Sequence, residues 1–527
     1  MKFTKAPFVI ALFASVVLSA CDKPASTEQE ATAPVAEPVV AQPAPAQEVK
    51  KEQIEWFDGS VEEAFALART ENKPVFLYWG AVWCPPCVEI RNTVFKSQQF
   101  IAQTKLFVPV YLDGDTEQAQ VYGEEFGTKV YPTMIVFTPA GQEVTRLHAG
   151  IDISTYNTVL ELSLDSMRPT SELVLTALDD PETLTGSDLQ RLAYYSWYDN
   201  NEALPEGTSP ELFNTLSELA AKSNPSASAR FYLQYLSMLS GEESAKADAA
   251  KLKAVIESPE LMFASWDYLT NYPLQIMAVI DGSDAEIEIL KNDWAAAIRQ
   301  NRHNERLSTA KQLTGWSPYL DFYFHDDESA PLPDDVTSSI RADGQAADKK
   351  TSGKYSRQSV ISTLTGIYLD AGMVDDARQL LLAEIEKSNT PYYFMSYLAY
   401  LEEQQGNIPL ALEWRKKAYE DSSGDATRIR WWAHYVQSVV RMAPENDELI
   451  QQSSMAIFDG SQSLDEIFVG ANFRNLQKTT ASLENWAGEY HPDEPVLSGF
   501  KAQLEQLCSK QPAGSPELAN CQSHGQE

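Results

Sequence analysis

Positive charge is scarce in this chain. Its 527 residues carry 41 Lys and Arg against 75 Asp and Glu, a formal net charge of −34. No basic block interrupts the acidity beyond Lys2 and Lys5. Binding nucleic acid through its phosphates needs a cationic surface, so that class of function is excluded. Acidity on this scale serves solubility and repels anionic surfaces. Cysteine is also scarce, with five residues at 21, 84, 87, 508 and 521. The single C-x-x-C has no second C-x-x-C and no neighbouring His, so it cannot complete a tetrahedral zinc site, and no metal is expected. His325 stands beside Asp326, Asp327 and Glu328, but no second His is near, and a solvated acidic loop accounts for it. A nucleophile–base motif and a phosphate-binding loop are both missing, and no cofactor is expected. Long apolar runs are missing too. Ala6 to Leu18 is the apolar stretch of the N-terminus, and it is too short for a comfortable membrane span.

That short stretch reads as an export signal. Lys2 and Lys5 supply a positive n-region, and small residues follow the apolar run. Leu18-Ser19-Ala20-Cys21 resembles the lipobox of bacterial lipoproteins, which implies a lipidated Cys21 as the first mature residue. The chain would then be anchored to a membrane surface rather than spanning it. The alternative is an ordinary signal peptide cleaved near Ala20. Asp22 resembles the inner-membrane retention signal of enterobacterial lipoproteins, implying the periplasmic side of that membrane. Residues 21–52 carry Pro, Ala, Glu, Gln and Thr with few large apolar residues, too few to bury a core, and read as a flexible tether.

The chemistry enters at Trp83-Cys84-Pro85-Pro86-Cys87. Two thiols at this spacing close into a disulfide within one helical turn and can exchange electrons with another protein's cysteines. The surrounding pattern, residues 53–168, alternates strands and helices. Ser60-Val61-Glu62-Glu63 is a capping-box pattern opening a helix to about Asn72. Strands are expected at 74–79, 107–112, 134–138 and 143–148, with helices from Cys84, over 116–126 and over 153–164. This is an α/β layer fold.

Trp-Cys-x-x-Cys after a strand, Tyr131-Pro132-Thr133 some 45 residues later (132 − 87), and Gly150 before the last helix resemble a thioredoxin-like domain. The phrase from Tyr78 to Cys84 resembles the soluble domain of DsbD-type periplasmic reductases. The resemblance covers about a fifth of the chain. It implies that Cys84 attacks from a helix N-terminus, where the macrodipole favours a thiolate, and that Cys87 resolves the mixed disulfide. It also implies that Pro132 is a cis-proline facing the sulfurs, that Tyr131 offers its backbone to a substrate segment, and that Trp83 shields the site. Where cytoplasmic thioredoxins carry a buried Asp beneath the dithiol, this chain has Tyr78, and their partner lysine aligns with Pro109. Glu89 is then a possible proton acceptor, though a solvated helix-face charge explains it more simply.

From residue 169 onward no strand-rich segment stands out. Apolar residues recur at helical spacing, as in Leu189, Leu192 and Tyr195, and in Phe231, Leu233, Tyr235 and Leu236. Residues 169–345 read as one helical region and 346–505 as a second. In the second, Gly372, Val374 and Ala377 recur as Gly406, Ile408 and Ala411, a shift of 34 (406 − 372), with Ala418 seven beyond Ala411. That period resembles a tetratricopeptide repeat, with Glu384 departing from the pattern. Trp431, Tyr435 and Val439, with Trp432 and Val436, predict a further helix. Asp326–Pro333 and Ala342–Gly353 are expected to be loops. In the tail, 506–527, Cys508 and Cys521 are expected to form a structural disulfide.

These readings converge on a membrane-anchored periplasmic thiol–disulfide oxidoreductase. Its Cys-Pro-Pro-Cys dithiol would reduce protein disulfides, and it would draw electrons from a membrane partner. A disulfide oxidase or isomerase is one alternative. The other is a non-enzymatic helical adaptor whose thioredoxin-like unit is a docking module.

Overall fold

The computed structural model describes residues 53–524 except 152, 198–202, 241–245, 326, 328, 329, 460–463, 465, 466 and 491–494. Cys21 and the tether therefore lie outside the described residues. Residues 51–527 form one compact unit.

The first part is built on a four-stranded mixed sheet in the order β2-β1-β3-β4. Its strands are β1 (Val75–Gly80), β2 (Val108–Asp113), β3 (Thr133–Phe137) and β4 (Glu143–His148). β1 runs parallel to β2 and antiparallel to β3, so it is central and buried along its whole length. α1 (Val61–Glu71) opens with the expected capping box. Ser60 N–H donates to Glu63 Oε2 at 2.9 Å and Glu63 N–H donates to Ser60 Oγ at 3.2 Å. α2 (Pro85–Asn92) follows β1, and α3 (Gln98–Thr104), α4 (Glu117–Glu125) and α5 (Ile153–Asp165) complete this part.

Successive residues of a strand face opposite sides. Val75, Leu77 and Trp79 pack against α1, in a core closed by Val61, Ala64 and Ala68. Phe76 and Tyr78 face α2, α3 and α5, and the core on that side does not stop at the sheet. It runs on through Leu173, Leu189 and Phe213 to Phe231, in the helices that follow. The helical part is thus packed on the sheet rather than strung behind it.

Among the described residues, helices account for the regular structure from Thr170 to Ser523 apart from one isolated bridge between Ala247 and Ile280. Gly372 (φ 66°) and Gly406 (φ 74°) turn helix Lys354–Asp370 into Val374–Ile385, and Pro391–Gln404 into Ile408–Glu420. Ala377, Ala411 and Ala418 are fully buried between the paired helices. Glu384, the departure from the repeat, is buried against the Arg357 guanidinium, 2.6 Å from Nη2 and 2.9 Å from Nε. The residues predicted to form a further helix lie in Asp425–Met442, with both tryptophans buried. No helix among the described residues is long and apolar enough to cross a membrane.

The expected loop at Ala342–Gly353 is corrected. Helix Asp334–Lys350 continues through it, with Asp334 and Asp335 in its first turn and Lys349 and Lys350 in its last, each matched to the macrodipole. Gly344 is no breaker here. A Cβ at that position would lie 2.4 Å from Tyr368 Oη, so the glycine permits a close helix crossing.

At the junction of the two parts sits a buried ion pair. Arg230 Nη1 donates to Asp267 Oδ1 at 2.7 Å and Nη2 to Oδ2 at 3.0 Å, with His148 Nε2 3.6 Å from Asp267. Burial works to raise the Asp267 pKa, but the Arg230 guanidinium outweighs it and holds the carboxyl below its usual range.

Candidate functional site

Cys84 is the N-cap of α2, and its Sγ accepts the Cys87 backbone N–H at 3.3 Å. Pro85 and Pro86 fill the first two helical positions, where no intrahelical donor is lost. Cys84 and Cys87 are joined in a disulfide with Cα atoms 5.3 Å apart. The Tyr131–Pro132 peptide is cis, and the Tyr131 carbonyl oxygen lies 3.6 Å from Cys84 Sγ. In the reduced state a Cys84 thiol would donate to that carbonyl. Tyr131 packs edge-on against Trp79 and Trp83, with centroids 4.7 and 5.7 Å away. Cys84, Cys87, Trp83, Tyr131 and Pro132 are therefore brought together in one place.

Aromatic rings, not a carboxylate, lie beneath the dithiol. Tyr78 stacks on Tyr111, its register partner on β2, while Pro109 stands opposite Phe76. The Tyr78 hydroxyl donates to the Cys87 carbonyl at 3.5 Å, and burial pushes its pKa far up. Arg91 donates to the Tyr111 hydroxyl. A neutral phenol thus occupies the place of a buried base.

Above the dithiol, the helical part closes over it. Cys84 is 3% exposed, Cys87 0% and Trp83 5%. Both cysteines belong to the same hydrophobic core as Trp431, Tyr435 and Phe473. Polar ties near the dithiol help to hold this cover. Gln358 Nε2 donates to the Trp83 carbonyl at 3.1 Å, and its Oε1 accepts from Thr390 at 3.0 Å. The Arg430 guanidinium lies 4.6 Å from the Trp83 ring centroid. The Thr427 hydroxyl donates to Asp115 Oδ1. Glu89 accepts from the hydroxyls of Ser308 and, at 3.4 Å, Ser359. Glu89 is therefore not a solvated helix-face charge; it ties α2 to the helices above it.

Asp115, in the loop after β2, is a carboxyl held under the cover by Thr427. Burial pushes its pKa up to about 6, helped by the neighbouring Asp113 and opposed by the Thr427 hydroxyl. The Trp83 indole N–H also favours the carboxylate from nearby but closes no hydrogen bond.

Sequence reasoning passed over Asp115, Gln358, Thr427 and Arg430. Asp115 follows closely on the expected strand 107–112, and an acid at a strand end carries no sign of a buried partner. The other three carry no local signal, because they sit within helices more than 270 residues from Trp83 in the chain, as with Gln358 (358 − 83 = 275).

Residues 55–139 match the family model described as Thioredoxin-like. This part of the chain is a thioredoxin-like domain. Thioredoxin H4 of Arabidopsis thaliana is 31% identical over 80 residues, covering 15% of this chain and 63% of its own length. The chain thus spans just under two thirds of that curated relative. Among solved structures, DsbH Oxidoreductase matches at 17% identity with a TM-score of 0.18, covering 20% of this chain and 80% of its own.

At the other end, Cys508 and Cys521 are bonded, Cα atoms 5.7 Å apart, and join helix Pro495–Cys508 to helix Pro516–Ser523.

Proposed function

We propose that this protein is a periplasm-facing thiol–disulfide oxidoreductase, held to the membrane through a lipid on Cys21, that reduces protein disulfides. The observation that carries the reading is the Cys84–Cys87 pair at the N-terminus of α2 opposite the cis Tyr131–Pro132 peptide. In the reduced enzyme, the Cys84 thiolate attacks one sulfur of a substrate disulfide. A mixed disulfide forms, and the first substrate thiolate leaves. The Cys87 thiolate then attacks Cys84 Sγ, closing the Cys84–Cys87 bond and releasing the second substrate thiolate. Two electrons pass to the substrate, and a dithiol protein of the membrane would return them. The direction rests on the resemblance to DsbD-type reductases.

Burial of the dithiol adds a condition. A protein disulfide cannot reach a Cys84 that is 3% exposed, so turnover requires the helical cover to move. The same burial favours a second reading, in which the tetratricopeptide-like helices are an adaptor and the thioredoxin-like domain is only docked inside them. Insulin-disulfide reduction by the purified full chain, pre-reduced and desalted, separates the two. Turnover that disappears in Cys84→Ser supports the oxidoreductase. Turnover that is absent in a verified dithiol form, or unchanged in Cys84→Ser, refutes it.

A further inference from the structure

The cover over Cys84–Cys87 is packed for a disulfide. Both cysteines lie in one apolar core with Tyr392, Met395 and Trp431 of the covering helices. Pro85 and Val88 of α2 are buried with them. A disulfide is neutral and does not titrate, so it suits such surroundings. Reduction changes the chemistry of the same place. It makes two thiols, and the attacking one works only when ionised. A charged sulfur shut away from solvent costs far more than a neutral one.

The difference between the closed and open forms decides the effect. The N-terminus of α2 and the Cys87 N–H, 3.3 Å from Cys84 Sγ, favour a thiolate. Both belong to the thioredoxin-like domain and act whether the cover is closed or open. Closure shuts out solvent and brings in Arg430, whose guanidinium lies 4.6 Å from the Trp83 ring centroid. Arg430 is partly exposed, and its charge is spread over Tyr393, Tyr131 and Asp115. Above pH 6 the Asp115 carboxylate offsets it. The Tyr131 carbonyl oxygen, 3.6 Å from Cys84 Sγ, accepts from a thiol and repels a thiolate. The neutral sulfur is thus the one that the closed form fits.

We infer that reduction of Cys84–Cys87 loosens the helical cover: the disulfide favours the closed form and the Cys84 thiolate the open one. A chain carrying electrons then exposes its dithiol more often, and the disulfide left by turnover lets the helices settle back. The inference rests on reading the pair as redox-active. Its readout is the helices rather than turnover. A chain that reduces no insulin but loosens on reduction keeps this inference and loses that reading, and one that turns over without loosening does the reverse.

Hydrogen exchange of the full chain at pH 8 tests this, in the oxidised form and after dithiothreitol. One dithiothreitol thiolate attacks a sulfur of the pair and the other closes the dithiothreitol ring. Two electrons pass to Cys84 and Cys87, with two protons from solvent, and Cys84 returns its proton on ionising. Thiol labelling after denaturation verifies the reduced state. Helices Lys354–Asp370 and Asp425–Met442, which carry Gln358 and Arg430, should exchange at least tenfold faster in the reduced chain, equivalent to about 1.4 kcal/mol of loosening. Helix Pro225–Leu239, packed in other cores, should not change. Cys84→Ser/Cys87→Ser carries neutral hydroxyls. In the same dithiothreitol, which also reduces Cys508–Cys521, it should exchange like the oxidised chain. If the double variant does not fold, Cys84→Ser, which lacks the attacking thiolate, carries the test. Equal exchange in the two redox forms, equal acceleration in Pro225–Leu239, or a serine variant as fast as the reduced chain would each overturn the inference.

Discussion

Thr427→Val loosens the cover over the dithiol while leaving its shape intact. Valine keeps the branched volume of threonine in helix Asp425–Met442 and removes only the hydroxyl that Asp115 accepts. A hydrogen bond to a charged acceptor contributes about 1.5–3 kcal/mol. Asp115 is ionised at pH 7.5, since its pKa is about 6, so the bond is charge-assisted there. If Cys84 reacts only from an opened form, its reactivity scales with the population of that form. At about 1.4 kcal/mol per decade, the loss raises that population roughly 10- to 100-fold. The assay is the second-order rate at which dithiothreitol reduces the Cys84–Cys87 disulfide at pH 7.5, in wild type and variant, with retained fold verified by circular dichroism. An unchanged rate in a folded variant would show that the sulfurs react without the helices moving, and the covered-site reasoning would fail.

The pH dependence of access follows from the same carboxyl. Its pKa is raised from 3.8 to about 6 in the covered form, so the extra stabilisation that the protonated carboxyl gives the cover is complete below 3.8 and is lost as pH rises through 6, leaving the bond from Thr427 to the carboxylate. At about 1.36 kcal/mol per pH unit this amounts to at most ~3 kcal/mol. Asp113, Tyr131, Tyr392 and Arg430 also face this carboxyl. Reduction rates, normalised at each pH to a small-molecule disulfide, should therefore climb between pH 4 and 7, and Asp115→Asn should flatten the climb. At the junction of the two parts, Asp267→Ala leaves the Arg230 guanidinium buried and unpaired. It should cost about 3–5 kcal/mol, read as a lowered denaturation midpoint. Replacing Cys508 by Ser opens a short C-terminal loop and should cost about 2–3 kcal/mol of stability while leaving insulin turnover in place; loss of turnover would tie that disulfide to the reaction.

The thioredoxin-like domain was legible because its signals are local. A capping box, short apolar strands and a C-x-x-C before a helix each act within a few residues, and the elements fall where those signals lie. Gly344 misled for the opposite reason. Glycine reads as a breaker, whereas here it is required by Tyr368 on another helix, a partner 24 residues away (368 − 344) that no window around Gly344 contains. Glu89 misled in the same way. On its own helix it looks like a solvent charge, and its partners Ser308 and Ser359 come from the helical part. Burial of the dithiol was illegible altogether. It depends on how Gln358, Thr427 and Arg430 are presented by helices whose own periodicity records only which face is apolar.

That cover changes what the missing base beneath Cys87 means. Tyr78, stacked on Tyr111 and held neutral by burial, cannot take a proton from Cys87 at any pH where the protein works. In the closed form, the carboxyl poised to titrate near neutrality lies above the dithiol, on Asp115, and it is engaged in holding the helices down. Proton acceptance and exposure are then linked. Opening frees Asp115 from Thr427 and returns its pKa toward 3.8, which makes it a weak base once solvent reaches the site. On the proposed reading, water or the substrate's own leaving thiolate would therefore accept the proton from Cys87. A partner that displaces the cover controls both access and proton removal. An exposed thioredoxin-type dithiol has no such requirement, and on the proposed reading this requirement restricts the site to partners able to meet it.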